Sequence, residues 1–192
     1  DCGLSGGVQD QYASAIGGFN FMEFYSKGKT VVNSLRIKNW IICELEASLV
    51  LYFTGISRFS SKIINDQSKN IDSGSKVSLE AMHSMKKSSL IMKEAILKGD
   101  LKMFSKNINN AWEAKKNTSE SVSNSKIEEI YNDALRAGAI SGKLSGAGGG
   151  GFMLFYVPPE KKSDLLRCLG KFDGKCYDFH FTREGCQSWY FE

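Results

Sequence analysis

Apolar side chains recur along this chain with two spacings, every second residue and every third or fourth, and the changes between them mark its elements. Phe19-Asn20-Phe21-Met22-Glu23-Phe24 alternates and predicts a strand, Lys27-Gly28-Lys29 a turn, and Thr30 to Leu35 the second arm of a hairpin. Between Ala47 and Thr54 the run Leu49-Val50-Leu51-Tyr52-Phe53 has strand length, and Gly55 breaks it before a polar segment of helical character from Ser57 to Gln67. Val77, Ala81, Met82, Met85, Met92 and Ile96 predict an amphipathic helix over Ser75 to Lys98, stopped at Gly99. Asp100 is placed to cap a second helix with Leu101, Phe104, Ile108, Ala111 and Trp112 on its apolar face. A third starts near Ser125, carries Ile127, Ile130, Tyr131, Ala134 and Leu135 on one side, and closes at Gly138. The polar stretch Asn117 to Ser125 reads as a loop or frayed helix. Phe152 to Val157 is a buried-strand pattern ended by Pro158-Pro159, and a helix at about Glu160 to Leu169 and strands at Lys175 to Phe181 and Gln187 to Phe191 complete the chain. Gly3 to Gly18 reads as a loop holding a short helix from about Asp10 to Ala15. Strands interleaved with helices and joined by hairpin-like turns predict an α+β fold, a largely antiparallel sheet with helices packed on one face.

With 192 residues, 42% of them hydrophobic, the chain can bury a real core. Its formal charge of +4 is spread along the whole length and forms no basic block of the kind a nucleic-acid surface needs. Five cysteines, Cys2, Cys43, Cys168, Cys176 and Cys186, include no C-x-x-C pair, and an odd count argues against a disulfide framework, so reduced thiols and a cytoplasmic location are expected. No apolar run approaches the roughly 20 residues that span a bilayer, and the first residues have no signal-peptide pattern, so no membrane partner is expected. The opening lacks methionine and runs directly into a glycine-rich, functional-looking segment, which predicts that an N-terminal part is missing.

The richest candidate for chemistry is Lys143-Leu144-Ser145-Gly146-Ala147-Gly148-Gly149-Gly150-Gly151. Backbone N–H groups in such a loop can form a concave nest for an anion, with the Ser145 hydroxyl and the Lys143 charge beside it. A flexible turn is the plainer reading, but four consecutive glycines cost much backbone entropy for a turn alone. In Gly6-Gly7-Val8-Gln9-Asp10-Gln11-Tyr12 a carboxylate lies among glycines and amides able to bind sugar hydroxyls; Asp10 is either a base for a hydroxyl nucleophile or a helix N-cap, and the two roles are compatible. Thr54 to Lys62 joins an apolar strand to a helix start with Arg58 and Lys62 nearby, which fits an anion site or simply a solvated helix end. Arg36 and Lys38 are equally open. His83 and His180 lie far apart and no ligand cluster has zinc spacing, so no protein-held metal is expected.

Two of these motifs in this order, the Gly6 to Tyr12 segment early and Lys143 to Gly151 late, resemble the GHMP kinases, the family of galactokinase, homoserine kinase, mevalonate kinase and phosphomevalonate kinase. The text between them, with Gly17-Gly18-Phe19-Asn20-Phe21, Leu35-Arg36-Ile37-Lys38, Tyr52 to Arg58 and Trp112-Glu113-Ala114-Lys115-Lys116, is similar to the branch that phosphorylates D-glycero-D-manno-heptose 7-phosphate. The resemblance implies a ferredoxin-like C-terminal domain over 36–192 and, in 1–35, a remnant of the N-terminal catalytic domain. It implies ATP and magnesium, the latter held mainly by the nucleotide and the missing half. Asp10 would act on the reacting hydroxyl. Ser145, Gly146, Ala147, Gly148, Gly149 and Gly150 would hold ATP phosphates, and Gly7, Gln9, Gln11, Tyr12, Thr54 and Arg58 would bind the sugar phosphate. The upstream glycine- and serine-rich phosphate loop of the family has no counterpart in these residues, so the isolated chain is expected to be inactive. A fucokinase-like or other monosaccharide kinase, and a non-catalytic sugar- or nucleotide-binding module, are the alternatives. A fragment would also expose surface that the missing part covers, which makes a homodimer plausible.

Overall fold

The computed structural model describes residues 7–56 and 60–190. It opens with α1 (Gln9–Ile16) and the hairpin β1 (Asn20–Phe24) and β2 (Thr30–Ser34), which pairs Met22 with Val32 as a separate two-stranded sheet. Next come α2 (Asn39–Ser48), β3 (Leu49–Phe53), α3 (Ser60–Asp72), α4 (Lys76–Lys98), α5 (Leu101–Lys116) and α6 (Ser125–Arg136). The strands β4 (Ser141–Leu144) and β5 (Phe152–Tyr156), the helix α7 (Lys162–Leu169) and the short strand β6 (Lys175–Tyr177) complete the regular structure. The main sheet has the order β4-β5-β3-β6 with every neighbouring pair antiparallel. A strand, a helical crossover, two strands, a helix and a strand in that spatial order make the ferredoxin-like arrangement.

Period-two alternation divides the sheet's residues between two cores. Val50, Tyr52, Leu144, Met153 and Phe155 face Trp112 of α5, Ile127, Ile130 and Ala134 of α6, and Leu165 and Leu169 of α7. Leu49, Leu154 and Tyr156 face the opposite way, against Ile41 and Leu45 of α2, Ile96, Leu101 and Ile108, with Phe19, Leu35, Phe179 and Phe181 at the margin. Both faces are therefore covered, where the sequence predicted one; the second cover is α2 together with the ends of the chain. Phe53, Phe152 and Tyr177 continue this second face as a partly open aromatic cluster, with ring centroids 5.1 and 5.6 Å apart.

The long helices follow their sequence signals. The Ser75 hydroxyl accepts from the Ser78 N–H, the Asp100 carboxylate from Met103, and the Asn124 amide from Ile127, so each helix start has one of its orphan donors met by a cap side chain. Gly99 ends α4 in the left-handed conformation. The buried stripe of α4 differs in part from the expected one: Ala81 and Ile96 lie inside as expected, but Ser78 and Ser88 join them while Val77 and Met82 are exposed, because the small side chains let α5 pack close.

Three elements differ from expectation. α2 was not foreseen, since its buried positions Ile41, Leu45 and Ser48 run without a break into β3. β4 was read as loop; Ser-Gly-Lys-Leu has weak strand propensity, and it pairs with β5 because Gly142 leaves room for the Phe155 ring, which a Cβ would meet at 2.5 Å. The Asn117 to Ser125 stretch is a loop, as expected, with a single 3-10 turn at Glu120–Val122, but part of it is buried. Thr118 is buried, accepting from Gln67 Nε2 at 2.7 Å through its hydroxyl and from Asn70 Nδ2 at 2.9 Å through its carbonyl. Finally, β6 stops at Tyr177, and residues 187–190 form no strand; Phe191 lies outside the described residues. Beyond β6 the chain instead returns along α1: Glu46 accepts from the Phe181 N–H at 2.8 Å, Gly18 donates to Thr182, and Cys186 donates to Ser14.

Candidate active site

The glycine loop after β4 is held from three sides. Ser145 N–H donates to the Phe152 carbonyl at 2.7 Å, Gly149 N–H to Val122 at 2.7 Å, and Gly151 N–H to Ile56 at 2.8 Å. Gly146, Gly148, Gly149 and Gly151 all have positive φ, at 72°, 128°, 73° and 95°. Gly148 and Gly150 also lie against other backbone: an added Cβ would stand 2.8 Å from the Val122 carbonyl oxygen and 2.6 Å from that of Ile56. Among the described residues, the N–H groups of Gly146, Ala147, Gly148 and Gly150 have no protein acceptor. Several unclaimed donors in a fixed, partly left-handed turn are the form of an anion nest. A cleft of about 280 Å³ opens on them, walled by Phe53, Ile56, Ser60 and Phe152.

Thr54 is fully buried at the end of β3. Its hydroxyl donates to the Gly151 carbonyl at 3.0 Å and its N–H to the same oxygen at 2.9 Å, so this side chain anchors the loop from behind. Arg58, Ser57 and Phe59 lie outside the described residues.

On α1, Gln9, Asp10 and Gln11 are exposed, as is Gly7 before it. The N-cap is Val8 and makes no side-chain bond, so Asp10 stands in the first turn rather than capping it. No residue of α1 is buried; Tyr12 sets its ring edge-on to Phe24 of β1 at 6.2 Å, and the returning C-terminal segment braces the other end.

Two lysines complete the picture. Lys115, in the last turn of α5, donates from its ammonium to the Gly146 carbonyl. Lys143 of β4 is half-buried and its pKa is pushed down by burial. The pKa of Lys115 is lowered to about 8, first by burial and then by the Lys143 charge, and the Asp10 carboxylate opposes that shift. Asp10, Lys115, Lys143 and the nest therefore share one electrostatic neighbourhood. The sequence reading had Asp10, Lys143 and the loop but gave Lys115 no role, since beside Lys116 at a helix end it resembles ordinary solvated charge.

Among the described residues no three His, Cys, Asp or Glu side chains gather as metal ligands, and no helix is long and apolar enough to cross a membrane.

Residues 92–174 match the family model for the GHMP kinases C terminal. Over 189 residues the chain is 50% identical to the D-glycero-alpha-D-manno-heptose 7-phosphate kinase of Campylobacter jejuni, covering 98% of this chain and 55% of that protein. It is 28% identical over 164 residues to the L-fucokinase/L-fucose-1-P guanylyltransferase of Bacteroides fragilis, covering 84% of this chain and 17% of that protein. The crystal structure of a D-glycero-D-manno-heptose 1-phosphate kinase from Bacteroides thetaiotaomicron superposes with a TM-score of 0.71 at 37% identity, covering 99% of this chain and 51% of that one. The chain thus spans 55% of the length of the Campylobacter protein, and far less of the fused fucokinase. The matched residues run from the last turns of α4 to the residue before β6, and over that stretch the chain is similar to the C-terminal domain of the GHMP kinases, with a sheet order that agrees.

Proposed function

We propose that this chain supplies the C-terminal half of an ATP-dependent sugar kinase that phosphorylates D-glycero-D-manno-heptose 7-phosphate at its anomeric hydroxyl, giving the 1,7-bisphosphate. The observation that carries the reading is the open glycine nest with the Lys115 ammonium bonded to its Gly146 carbonyl, and Asp10 near enough to act on the Lys115 charge. The half-length identity of 50% to the Campylobacter heptose 7-phosphate kinase supports the choice of sugar.

In this mechanism the sugar oxygen attacks the γ-phosphorus, the bond from that phosphorus to the β–γ bridging oxygen breaks, and ADP leaves with the electron pair. The hydroxyl proton passes to Asp10. Little covalent help is needed from protein, so holding the hydroxyl in line and neutralising phosphate charge supply most of the rate. The N–H groups of Gly146, Ala147, Gly148 and Gly150, which no acceptor among the described residues takes up, bind phosphate oxygens with the Ser145 hydroxyl, and Gly149 shapes the turn. Gly7, Gln9, Gln11 and Tyr12 flank the sugar. Thr54 acts through the loop. The second phosphate of the substrate calls for a further cation, for which Arg58 is the candidate from sequence, with Arg36 and Lys38 exposed after the hairpin. Among the described residues no group of three acidic, His or Cys side chains gathers to hold a cation, so magnesium, which screens phosphate charge, would travel on the nucleotide. We assign residues 1–35 to the catalytic half and 36–192 to the C-terminal domain, in keeping with the hairpin's separate sheet.

The test is the rate of ATP consumption by the chain joined to its own upstream half, with heptose 7-phosphate, fucose and galactose compared. Turnover with the heptose phosphate at least about a hundredfold above the others supports the reading. Preference for an unphosphorylated sugar points to the fucokinase-like reading, to which the 28% relative lends some weight, and no turnover with any of them removes the kinase.

A further inference from the structure

Lys115 and Lys116 are neighbours in sequence and opposites in environment. Lys116 is matched by acids, Glu113 at 3.0 Å and Glu128 at 3.4 Å. Lys115 has no ion pair among the described residues; its ammonium is half-buried, spends one donor on the Gly146 carbonyl, and has Lys143 as the nearer influence on its charge. Its position is fixed by the core, because Trp112 and Ala114 on the same turn are buried. A cation kept partly out of water and next to a second cation is costly, and among the described residues only the more weakly felt Asp10 offsets it. An arriving anion removes that cost. The carbonyl that Lys115 holds belongs to the nest whose N–H groups no acceptor among the described residues takes up, so the two kinds of anion donor, charge and backbone, converge on one loop.

We propose that Lys115 is the cation of the phosphate site: bonded to the Gly146 carbonyl, it fixes the glycine nest and meets the transferred phosphoryl group beside Asp10. The ligand class is a polyphosphate, and the role assigned here rests on the kinase reading above. Lys115 thereby does for the C-terminal half what a helix-borne charge does in any electrostatically organised site: it stands ready before charge develops in the transition state. The Lys143 charge, which Lys115 feels, adds to the field.

The experiment uses the full-length kinase with Lys115→Met, Lys115→Gln and Lys115→Arg. Gln retains a donor for the Gly146 carbonyl but no charge, so it separates tethering from charge. The expected result is a loss in kcat on the order of 100-fold for both Met and Gln, with Arg within about tenfold of wild type. The melting temperature of the Met variant should match or exceed that of wild type, which a structural lysine would not allow. Wild-type turnover in Gln or Met overturns the proposal, as does loss of activity that merely tracks unfolding. Calorimetric titration with inorganic tripolyphosphate needs no sugar and so tests Lys115 even if the kinase reading fails. Affinity should drop at least about tenfold in Met and Gln, and equal affinity in all variants rejects the assignment.

Discussion

Gly150→Ala and Gly146→Ala are the same chemical change four residues apart in one loop, and the structure predicts opposite severities. At Gly150 the backbone is ordinary for an L-residue, but the new Cβ would lie 2.6 Å from the Ile56 carbonyl oxygen and 2.9 Å from its Cγ2. Relief requires a shift of more than half an ångström in backbone, and the Gly151 N–H bond to that same Ile56 carbonyl, 2.8 Å long, is what the shift would break. Overpacking costs about 1–3 kcal/mol and the lost bond about 1 kcal/mol, a sum of about 2–4 kcal/mol. At Gly146 nothing lies within 4 Å of the new atom, and the penalty is that of a left-handed φ of 72°, about 1 kcal/mol. Urea denaturation of the two variants reads these values directly, and tripolyphosphate titration reads the loop's shape. Gly150→Ala should lose stability, affinity or both, and Gly146→Ala should stay close to wild type. Equal effects, or a Gly150→Ala variant within about 0.5 kcal/mol of wild type with unaltered binding, would refute the close approach of the loop to Ile56.

Thr118→Val keeps the shape but leaves Gln67 Nε2 without its 2.7 Å acceptor in a buried position, so urea denaturation should report a loss of about 1–3 kcal/mol. A loss under about 0.5 kcal/mol would mean that the segment tolerates water. Stability should also depend on pH through Lys115. Its folded pKa of about 8 lies below the unfolded 10.5, so between those values the unfolded chain binds the proton that the folded chain has released, and stability rises with pH across that window. Below about pH 8 the full cost of burying the charge is present. Urea midpoints of wild type and Lys115→Met, compared from pH 7 to 10, should therefore converge as pH rises; a constant gap would contradict the burial of this charge.

What the sequence made legible were elements with an unmixed signal. β3 and β5 are apolar runs with punctuation, and α4, α5 and α6 carry apolar positions at helical spacing, α5 with its cap at Asp100. α2 escaped because helix and strand abut at Ser48 and Leu49, leaving one continuous apolar text with two periods. β4 escaped because its formation depends on the Phe155 ring lying against Gly142, a contact between distant residues rather than a local preference. The same limit applies to the site. Asp10 and the glycine loop stood out by composition, each within a few residues. Lys115 could not, because its difference from Lys116 lies in which acids each can reach, and Glu128 comes from another helix. Thr54 looked like a ligand-facing hydroxyl at a strand end, and only the fold shows that hydroxyl turned inward to Gly151.

The measurement that bears most directly on the central claim is the single-turnover rate of phosphoryl transfer to heptose 7-phosphate by the full-length enzyme and its Asp10→Asn variant. Asp10 is exposed on a helix with no buried residue, so the substitution leaves folding and nucleotide affinity nearly unchanged. The account predicts a rate lower by about 10²–10⁴-fold with melting temperature and ATP affinity preserved. An Asp10→Asn enzyme that transfers phosphate as fast as wild type would contradict it.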